Sequence, residues 1–394
     1  MQKIIILITV LLISLTGCVN TRKIYNNRET PLEVKAVWFS YFDWSALPHE
    51  EDEFKIEVEQ IVKKMKLLGL NTIYLHAHSH SDSYYKMATY FPLSKYVSYT
   101  KYFSEDFDAF DYFIQEAHKE NIKIHAWFNP YRVGNVDQFE NVPENSLLSD
   151  WKTIDEEYDG RHFIFHRNAY YLNPSNTEIQ AALVNSIREL CQNYEIDGIH
   201  FDDYFYPAID DSNPELSFDK TDWEDSGSEM ELEEWRRNNV SKLVSEVYAA
   251  VHEEIPDGVF GISPAGNIKN LQSSQQYLVD INKWLNEEGY LDYIIPQIYW
   301  GFYPRLSNGN IAPWAFKNCL ADWIKASEKS SAKLYVGLAL YRAGTDVKDG
   351  NEISEWLTDD DIIERQIECC KNEPRVTGFS LFDWKQIDNF NGTN

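Results

Sequence analysis

The stretch Asp197-Gly198-Ile199-His200-Phe201-Asp202-Asp203-Tyr204 decides the fold, because it places an apolar strand directly before two acids. Alternate side chains of a strand face opposite ways. Ile199 and Phe201 are therefore expected to pack on helices. The other parity is expected to point into the molecule and consists of His200, Asp202 and Tyr204. Asp203 has the outward parity unless a turn re-aims it. Buried acids are costly without partners or a task, so the pattern predicts a site at Asp202 and Asp203.

Seven further apolar runs have the length and composition of strands. With Gly198–Asp202 they make eight: Ala36–Ser40, Asn71–His76, Lys123–Phe128, Val259–Ser263, Tyr293–Ile298, Leu334–Leu338 and Thr377–Phe382. Helical patterns separate them, among them Phe54 to Leu68 closed by Gly69, a helix opened by Ser175 with Glu178, the long helix Trp235–Val251, and a last helix opened by Thr358 with Asp361. Alternation of strands and helices indicates a parallel sheet.

We therefore predict an α/β fold, a (β/α)8 TIM-type barrel with long strand-to-helix loops. A doubly wound sheet is the alternative, but no dinucleotide glycine fingerprint follows a strand. The long connections are 77–107, 129–174, 203–230 and 299–312, whereas helix-to-strand connections are short. In a barrel the long loops crowd the carboxyl ends of the strands, where barrel active sites lie.

The same parity argument gathers polar and aromatic side chains at the other strand ends. His76, His78, Asn129, Gln297 and Tyr299 are expected to point inward with His200. Five tryptophans fall at or just beyond strand ends, and aromatic faces stack on the C–H faces of sugar rings. They are Trp38, Trp44, Trp127, Trp300 and Trp384. The set favours a hydroxyl-rich substrate.

The first 33 residues differ from the rest of the chain. Lys3 precedes the apolar run Ile4–Leu15, which is too short to span a bilayer. Leu15-Thr16-Gly17-Cys18 resembles the bacterial lipobox, in which a cysteine carries lipid. We expect a signal peptide over 1–18, lipidation at Cys18, a polar tether over 19–33 and the barrel over 34–394. The protein would then be attached to the membrane on the extracytoplasmic side, in the cell envelope. A plain cleaved signal is the alternative.

Net charge and the spacing of cysteines and histidines bear on which partners and ligands the protein can bind. A formal charge of −27 repels phosphate backbones, so nucleic acid is not expected. Cys191, Cys319, Cys369 and Cys370 lack metal-type spacing and are expected to be buried free thiols, with one disulfide as the alternative. His76-Ala77-His78 with His80 leaves open a metal-dependent hydrolase or deacetylase.

Long motifs resemble the family 10-like glycosyl hydrolase lipoproteins. They include 36–40, 125–132, 171–174, 197–207, 235–237, 260–264 and 296–300, and the similarity extends from about Glu33 to Trp384. The resemblance implies a barrel hydrolase of the bacterial envelope that needs no metal or other cofactor. Some members are thought to cleave peptidoglycan glycan strands stripped of peptides. It also implies substrate-binding roles for Arg132 and Asp82. The family usually has Gln-x-Arg where this chain has His76 and His78.

Residues 197–204 also resemble the catalytic strand of chitinase-type glycosidases, in which Asp202 matches, while Tyr204 stands at the place of the catalytic Glu. We expect Asp202 to act as nucleophile or to orient an acetamido group, and Asp203 to act as general acid. Asp43, Asp82, Asp383 and Glu234 are rival acids. The predicted function is hydrolysis of N-acetylated glycans such as denuded peptidoglycan by a monomer. A non-catalytic glycan-binding lipoprotein is the second interpretation.

Overall fold

A computed structural model gives the structure of the protein and describes residues 31–158, 160–203, 205–207, 218–271 and 277–393. Its eight barrel strands are β1 (Val34–Phe39), β2 (Thr72–His78), β3 (Lys123–Phe128), β7 (Gly198–Phe201), β8 (Val259–Ile262), β9 (Tyr293–Ile294), β10 (Lys333–Leu338) and β11 (Val376–Leu381). All pair in parallel and close in the order β1-β11-β10-β9-β8-β7-β3-β2. The predicted barrel and its eight strands are confirmed.

Helices surround the barrel. In the described residues they are α1 (Tyr41–Ser45), α2 (Glu51–Leu67), α3 (Ala109–Lys119), α4 (Val136–Glu140), α5 (Leu147–Tyr158), α6 (Thr177–Asn193), α7 (Lys220–Asp225), α8 (Leu232–Glu254), α9 (Ile268–Leu271), α10 (Ile281–Asn286), α11 (Phe316–Ala326), α12 (Glu355–Thr358) and α13 (Ile362–Lys371). Short 3₁₀ helices cover Ser98–Tyr102, Leu340–Arg342 and Trp384–Asn389. The last of these follows the eighth barrel strand, β11.

Three local predictions were wrong in detail. Asn176, not Ser175, caps α6, and its side chain accepts from the N–H groups of Glu178 and Ile179. Asp361 precedes α13, while Thr358 ends α12. The regular part of β9 stops at Ile294, four residues before the predicted end, because Pro296 lacks the N–H group that a strand ladder needs.

A second, three-stranded antiparallel sheet was not predicted. It consists of β4 (Arg132–Asn135), β5 (Phe163–His166) and β6 (Ala169–Leu172), and it lies with α4 and α5 between β3 and α6. A two-residue turn joins β5 to β6, with φ of 48° at Arg167 and 63° at Asn168. Positive φ at both positions matches the twist of a tight hairpin. The predicted long loop 129–174 thus contains a small folded sheet, on the face of the barrel formed by the carboxyl ends of the strands.

Aromatic side chains fill the barrel interior. Its apolar cluster contains Trp38, Tyr74, Trp127, Tyr293 and Tyr335. Gly261 makes room for one of them, because a Cβ at this position would lie 2.2 Å from the ring of Tyr293. The interior is therefore closed below the mouth of the barrel.

The cysteines and the helices bear on two further expectations. Cys191, Cys319, Cys369 and Cys370 are free thiols, as predicted, and all but Cys369 are also buried as predicted. Across the described ranges, no helix has both the length and the apolar character needed to cross a bilayer. Cys18, most of the tether and Tyr204 lie outside the described residues.

Candidate active site

A pocket of about 280 Å³ opens at the carboxyl ends of the barrel strands, and we call it the mouth pocket. It brings together eight of the predicted site residues: Trp38, His76, Asn129, Arg132, Asp202, Asp203, Gln297 and Tyr299. Six further residues complete its lining: Ser40, Tyr41, Phe42, Trp127, Ser263 and Phe382. The lining thus combines two carboxyl groups, hydrogen-bonding groups and aromatic faces, as binding of a sugar requires.

Both acids reach the pocket because the regular strand ends directly before them. The regular part of β7 ends at Phe201, the N–H of Asp202 donates to the carbonyl of Phe128 at 3.4 Å, and the chain bends at Asp203. The carbonyl of Asp203 then accepts from the N–H of Phe205 at 3.0 Å. This bend re-aims Asp203, so that its side chain lines the same pocket as that of Asp202.

The carboxyl group of Asp203 holds its proton more strongly than a free acid. Burial raises its pKa from 3.8 to about 6, and a hydrogen bond from the side chain of Gln297 opposes the shift. The amide of Gln297 also donates to the carbonyl of Ser263 at 2.7 Å, which fixes its orientation. Burial is thus the principal cause of the raised pKa of Asp203.

A chain of hydrogen bonds holds His76 in one wall. Its Nδ1 accepts from the N–H of Tyr41 at 3.0 Å, so its Nε2 carries the hydrogen that faces Asn129 Oδ1 at 3.4 Å. The side-chain amide of Asn129 in turn donates to the carbonyl of Ser79 at 3.4 Å. His76 also stacks on Trp127 at 3.4 Å between centroids, and burial holds its pKa far below its usual value. His76 therefore stays neutral and presents a fixed ring.

His200 lies beneath the pocket and is fully buried. Its Nε2 accepts from Trp38 Nε1 at 3.2 Å and lies 3.0 Å from Ser263 Oγ, and its Nδ1 lies 3.2 Å from the Tyr293 hydroxyl. Burial and the neighbouring His125 hold its pKa well below its usual value. This neutral ring anchors the floor of the pocket, notably Trp38.

Tyr299 connects the mouth pocket to a second pair of acids. Its pKa lies well above its usual value because its hydroxyl is buried and because Tyr341 and three acids lie nearby, so the phenol keeps its hydrogen as a donor. The three acids are Asp203, Asp383 and Asp202. Burial raises the pKa of Asp383 to about 6. Burial and the charge of Asp383 raise that of Asp43 to about 7. Asp43 accepts from the N–H and the hydroxyl of Ser40, both at 2.7 Å.

Several residues that the sequence singled out lie outside the mouth pocket. Trp300 packs on the main core, and its carbonyl accepts from Gln366 at 2.9 Å. Trp384 lies in a neighbouring groove beside Asp43, with Lys64 Nζ 5.8 Å from its ring centroid. Trp44 is wholly buried and packs in the core, so it is no sugar platform. The tryptophan set is thus dispersed, because position at a strand end does not fix the direction of a ring.

Asp82 and His78 are also displaced from the expected arrangement. Asp82 Oδ1 accepts from the N–H groups of Ser79 and His80 at 3.0 and 2.8 Å, so it caps the loop after β2. The β2–β3 pairing has an irregularity between His76 and His78, which reverses the parity. His78 consequently stacks on Phe128 at 5.2 Å, on the helix side of the sheet.

The metal interpretation requires a convergent set of ligands. Among the described residues, the group of three or more His, Cys, Asp or Glu side chains with ligand atoms close together is Asp359, Asp360 and Asp361, far along the chain from the mouth pocket residues. The ring nitrogens of His76 are engaged with the N–H of Tyr41 and with Asn129, and His78 faces away. The His-x-His pattern thus does not assemble a ligand set here.

Sequence reasoning missed the residues that follow β1. Ser40, Tyr41 and Phe42 line the pocket from α1 and its cap. Their position just after β1 could have identified them. The prediction relied on long connections, and the connection after β1 is short. Ser263 and Phe382 follow β8 and β11 in the same way. Every strand end around a barrel mouth is a candidate, whatever the length of the loop that follows.

Comparison with known proteins identifies the family. The profile of the family glycosyl hydrolase-like 10 matches residues 33–355, more than half of the chain. The chain belongs to the glycosyl hydrolase-like 10 family. Glycosyl hydrolase YngK of Bacillus subtilis (strain 168) is 28% identical over 388 residues, covering 92% of this chain and 70% of that protein. Glycosyl hydrolase DigH of Escherichia coli (strain K12) is 25% identical over 383 residues, covering 89% of this chain and 82% of that protein.

Solved structures agree on the architecture of this glycosyl hydrolase-like 10 protein. The glycoside hydrolase domain of PgaB (BpsB) from Bordetella bronchiseptica superposes with a TM-score of 0.60 at 13% identity, covering 92% of this chain and 96% of that one. At such low identity the likeness shows the fold alone. The barrel is the one used by glycoside hydrolases, and the chemistry must be argued from the mouth pocket.

Proposed function

We propose that the protein is a glycoside hydrolase that cleaves N-acetylated glycan strands, such as peptidoglycan stripped of its peptides. The observation that carries the proposal is the placement of Asp202 and Asp203 in one pocket at the carboxyl ends of the strands, with Asp203 kept protonated by burial up to a pKa of about 6. Glycosidases usually need an acid that protonates the leaving oxygen and a carboxylate that stabilises the positive charge developing on the sugar ring in the transition state.

The two acids differ in a way that fits these two roles. Asp203 acts as the general acid, since its raised pKa keeps a proton available near pH 6. Asp202 supplies the carboxylate, either as the nucleophile or by orienting an acetamido group of the substrate as it attacks. Tyr299 and Asn129 offer hydrogen bonds to hydroxyl groups, and the rings of Trp38 and Trp127 form apolar walls.

We also propose that the protein works in the cell envelope, attached by lipid at Cys18. The support is the apolar leader that ends in Leu15-Thr16-Gly17-Cys18. The chain has a net charge of −27 and would be repelled by an anionic membrane surface, so a covalent lipid would supply the attachment.

The test is incubation with purified denuded glycan strands, with the products measured by mass spectrometry. We expect shortened strands with wild type, and Asp202→Asn should lower turnover by ~10²–10³ because the charge in the pocket is lost while size is kept. Asp106→Asn, an exposed acid in another loop, is the matched control and should cleave normally. Wild-type turnover in a well-folded Asp202→Asn variant would contradict the assignment. Binding without any cleavage would instead make the protein a glycan-binding lipoprotein.

A further inference from the structure

A groove lies beside the mouth pocket, between α2 and the 3₁₀ helix that follows β11. It has a volume of about 560 Å³, and we call it the Trp384 groove. Three elements line it: α1, α2 through Glu57, Gln60 and Lys64, and the 3₁₀ helix through Trp384. Sites for small ligands have volumes of roughly 300–1000 Å³, so this groove has room for a sugar ring.

Phe42 connects the Trp384 groove to the mouth pocket, because it lines both cavities. Its side chain is 55% exposed, and the ring of Tyr41 packs against it at 4.1 Å between centroids. Aromatic faces stack on the C–H faces of sugar rings. A glycan strand that leaves the mouth pocket past Phe42 would therefore meet an apolar surface and then the Trp384 groove.

The wall formed by Trp384 is fixed by its neighbours. The centroid of the Phe39 ring lies 6.3 Å from that of Trp384, and Lys64 Nζ lies 5.8 Å from the same centroid. Lys64 also forms an ion pair with Asp388, which lines the groove as well. These contacts hold the half-buried indole in place without a ligand, as expected of a preformed site.

The charged groups that line the groove balance one another. Lys64 and Lys385 are positive, and they come from the two facing elements. Glu57 and Asp388 are negative and come from the same two elements. The remaining ionisable group is Asp43, and burial is the main cause that raises its pKa to about 7, so it is mostly uncharged near pH 6. A charged sugar ring would thus lose water there without gaining an unmatched opposite charge, and a neutral ring is favoured.

We propose that the Trp384 groove is a second glycan subsite, which binds a neutral sugar ring of the same strand that occupies the mouth pocket. It rests on the proposed function, since this strand is the substrate on which Asp202 and Asp203 act. Phe42 and Trp384 supply apolar contact, and the amide of Gln60 supplies hydrogen bonds. Binding energy from a part of the substrate remote from the reacting bond can raise kcat/KM. Long strands should therefore be better substrates than short ones.

The test measures how kcat/KM rises with the length of denuded glycan strands, in wild type and in a variant with a filled groove. Ala46 is exposed and lines the groove, so Ala46→Trp fills it from the surface. We expect wild type to gain about tenfold from short to long strands, and Ala46→Trp to lose this gain. Ala181→Trp puts the same ring on an exposed position of α6 and is the matched control. It should keep the gain.

A second pair of variants removes a ring instead of adding one. Phe42→Ala should lower the gain from strand length, because the apolar surface between the two cavities is lost. Phe165→Ala removes a ring of the same 55% exposure from β5, and it should keep the gain. A gain that survives both Ala46→Trp and Phe42→Ala, or no gain in wild type, overturns the subsite.

A binding measurement separates this proposal from hydrolysis. Isothermal titration of Asp202→Asn with short and long strands, and with short and long oligomers of N-acetylglucosamine, measures the contribution of the groove without turnover. Tighter binding of the long forms, abolished by adding Ala46→Trp, upholds the subsite. The same result with no cleavage by wild type overturns the hydrolase alone. A length effect with denuded strands but not with the neutral oligomers overturns the choice of a neutral ring, and no binding of any glycan overturns both proposals.

Discussion

At the scale of single residues, Asp203 is an acid because of where it is placed. Its carboxyl group is surrounded by the pocket wall, and burial disfavours the charged form more than the hydrogen bond from Gln297 favours it. A general acid works best with a pKa close to the working pH. The bend after Asp202 therefore turns the side chain of Asp203 into the pocket, where burial raises its pKa.

The pH dependence of turnover follows from this residue. An ionised Asp203 cannot donate a proton, so turnover on glycan strands should fall as pH rises through about 6, approaching tenfold for each further pH unit. Asp203→Asn should remove this limb and slow glycan cleavage strongly. An aryl glycoside with a good leaving group should be cleaved by the variant at a larger share of the wild-type rate.

Asp43→Asn is the control for that profile. Asp43 has a raised pKa of about 7, but it lines the groove of Trp384 rather than the mouth pocket. Its variant should keep the alkaline limb near pH 6. Loss of the limb in Asp43→Asn, together with its survival in Asp203→Asn, would transfer the role of general acid to the second pair of acids.

Strand parity predicted the inward residues where the ladder stays regular, and it was wrong where the ladder changes. His76, Asn129, Gln297 and Tyr299 line the mouth pocket. His78 does not, because one extra residue in β2 reverses the alternation. Neither that bulge nor the bend at Asp203 leaves a mark in a single sequence, since both depend on the pairing with neighbouring strands.

At the scale of elements, the barrel strands were predictable and the inserted sheet was not. Buried parallel strands are continuous apolar runs, which are easily recognised in the sequence. β5 and β6 are four residues each and half-exposed, so their alternation is short and weak. A better signal was the pair Arg167-Asn168 between two aromatic runs, which suits a tight hairpin.

The ends of β1 and β11 meet through a pair of acids. Asp43 follows β1, Asp383 follows β11, and the charge of Asp383 adds to the burial that raises the pKa of Asp43. Asp383 Oδ1 is buried and has no hydrogen-bond partner in the described residues. Both folded-state pKa values exceed the usual 3.8, so the folded chain binds more protons than the unfolded chain between pH 4 and 7. The pair's contribution to stability is full below about pH 4 and is lost as pH rises through about 6 to 7.

The Asp43→Asn variant should lose less stability than wild type as the pH rises. The amide oxygen still accepts from Ser40, and no charge appears at high pH, so the variant should gain at least about 1 kcal/mol over wild type between pH 5 and pH 8. Urea unfolding at both pH values measures the gain. Asp106→Asn, on the surface, should show none. An Asp43→Asn variant whose difference in stability from wild type is the same at both pH values would show that the pKa of Asp43 is not raised in the folded chain.

At the scale of the whole molecule, the direction of the barrel fixes the orientation of the mouth pocket. All eight strands run in parallel, and the pocket lies at their carboxyl ends. The chain enters β1 at Val34, on the opposite face. A tether over 19–33 spans at most about 50 Å when fully extended. A lipid at Cys18 would therefore keep the start of β1 within about 50 Å of the membrane surface, with the mouth pocket on the opposite face of the barrel.

The anchor is tested by labelling expressing cells with a clickable fatty-acid analogue. Wild type should incorporate the label and fractionate with membranes, because cleavage before Cys18 would leave a cysteine that carries lipid. Cys18→Ser should lose the label and become soluble. Cys369→Ser is the matched control, since Cys369 is a partly exposed free thiol within α13 and should leave labelling unchanged. Equal labelling of wild type and Cys18→Ser, or none in either, would contradict lipidation at Cys18 and with it the tethering of the barrel to the membrane.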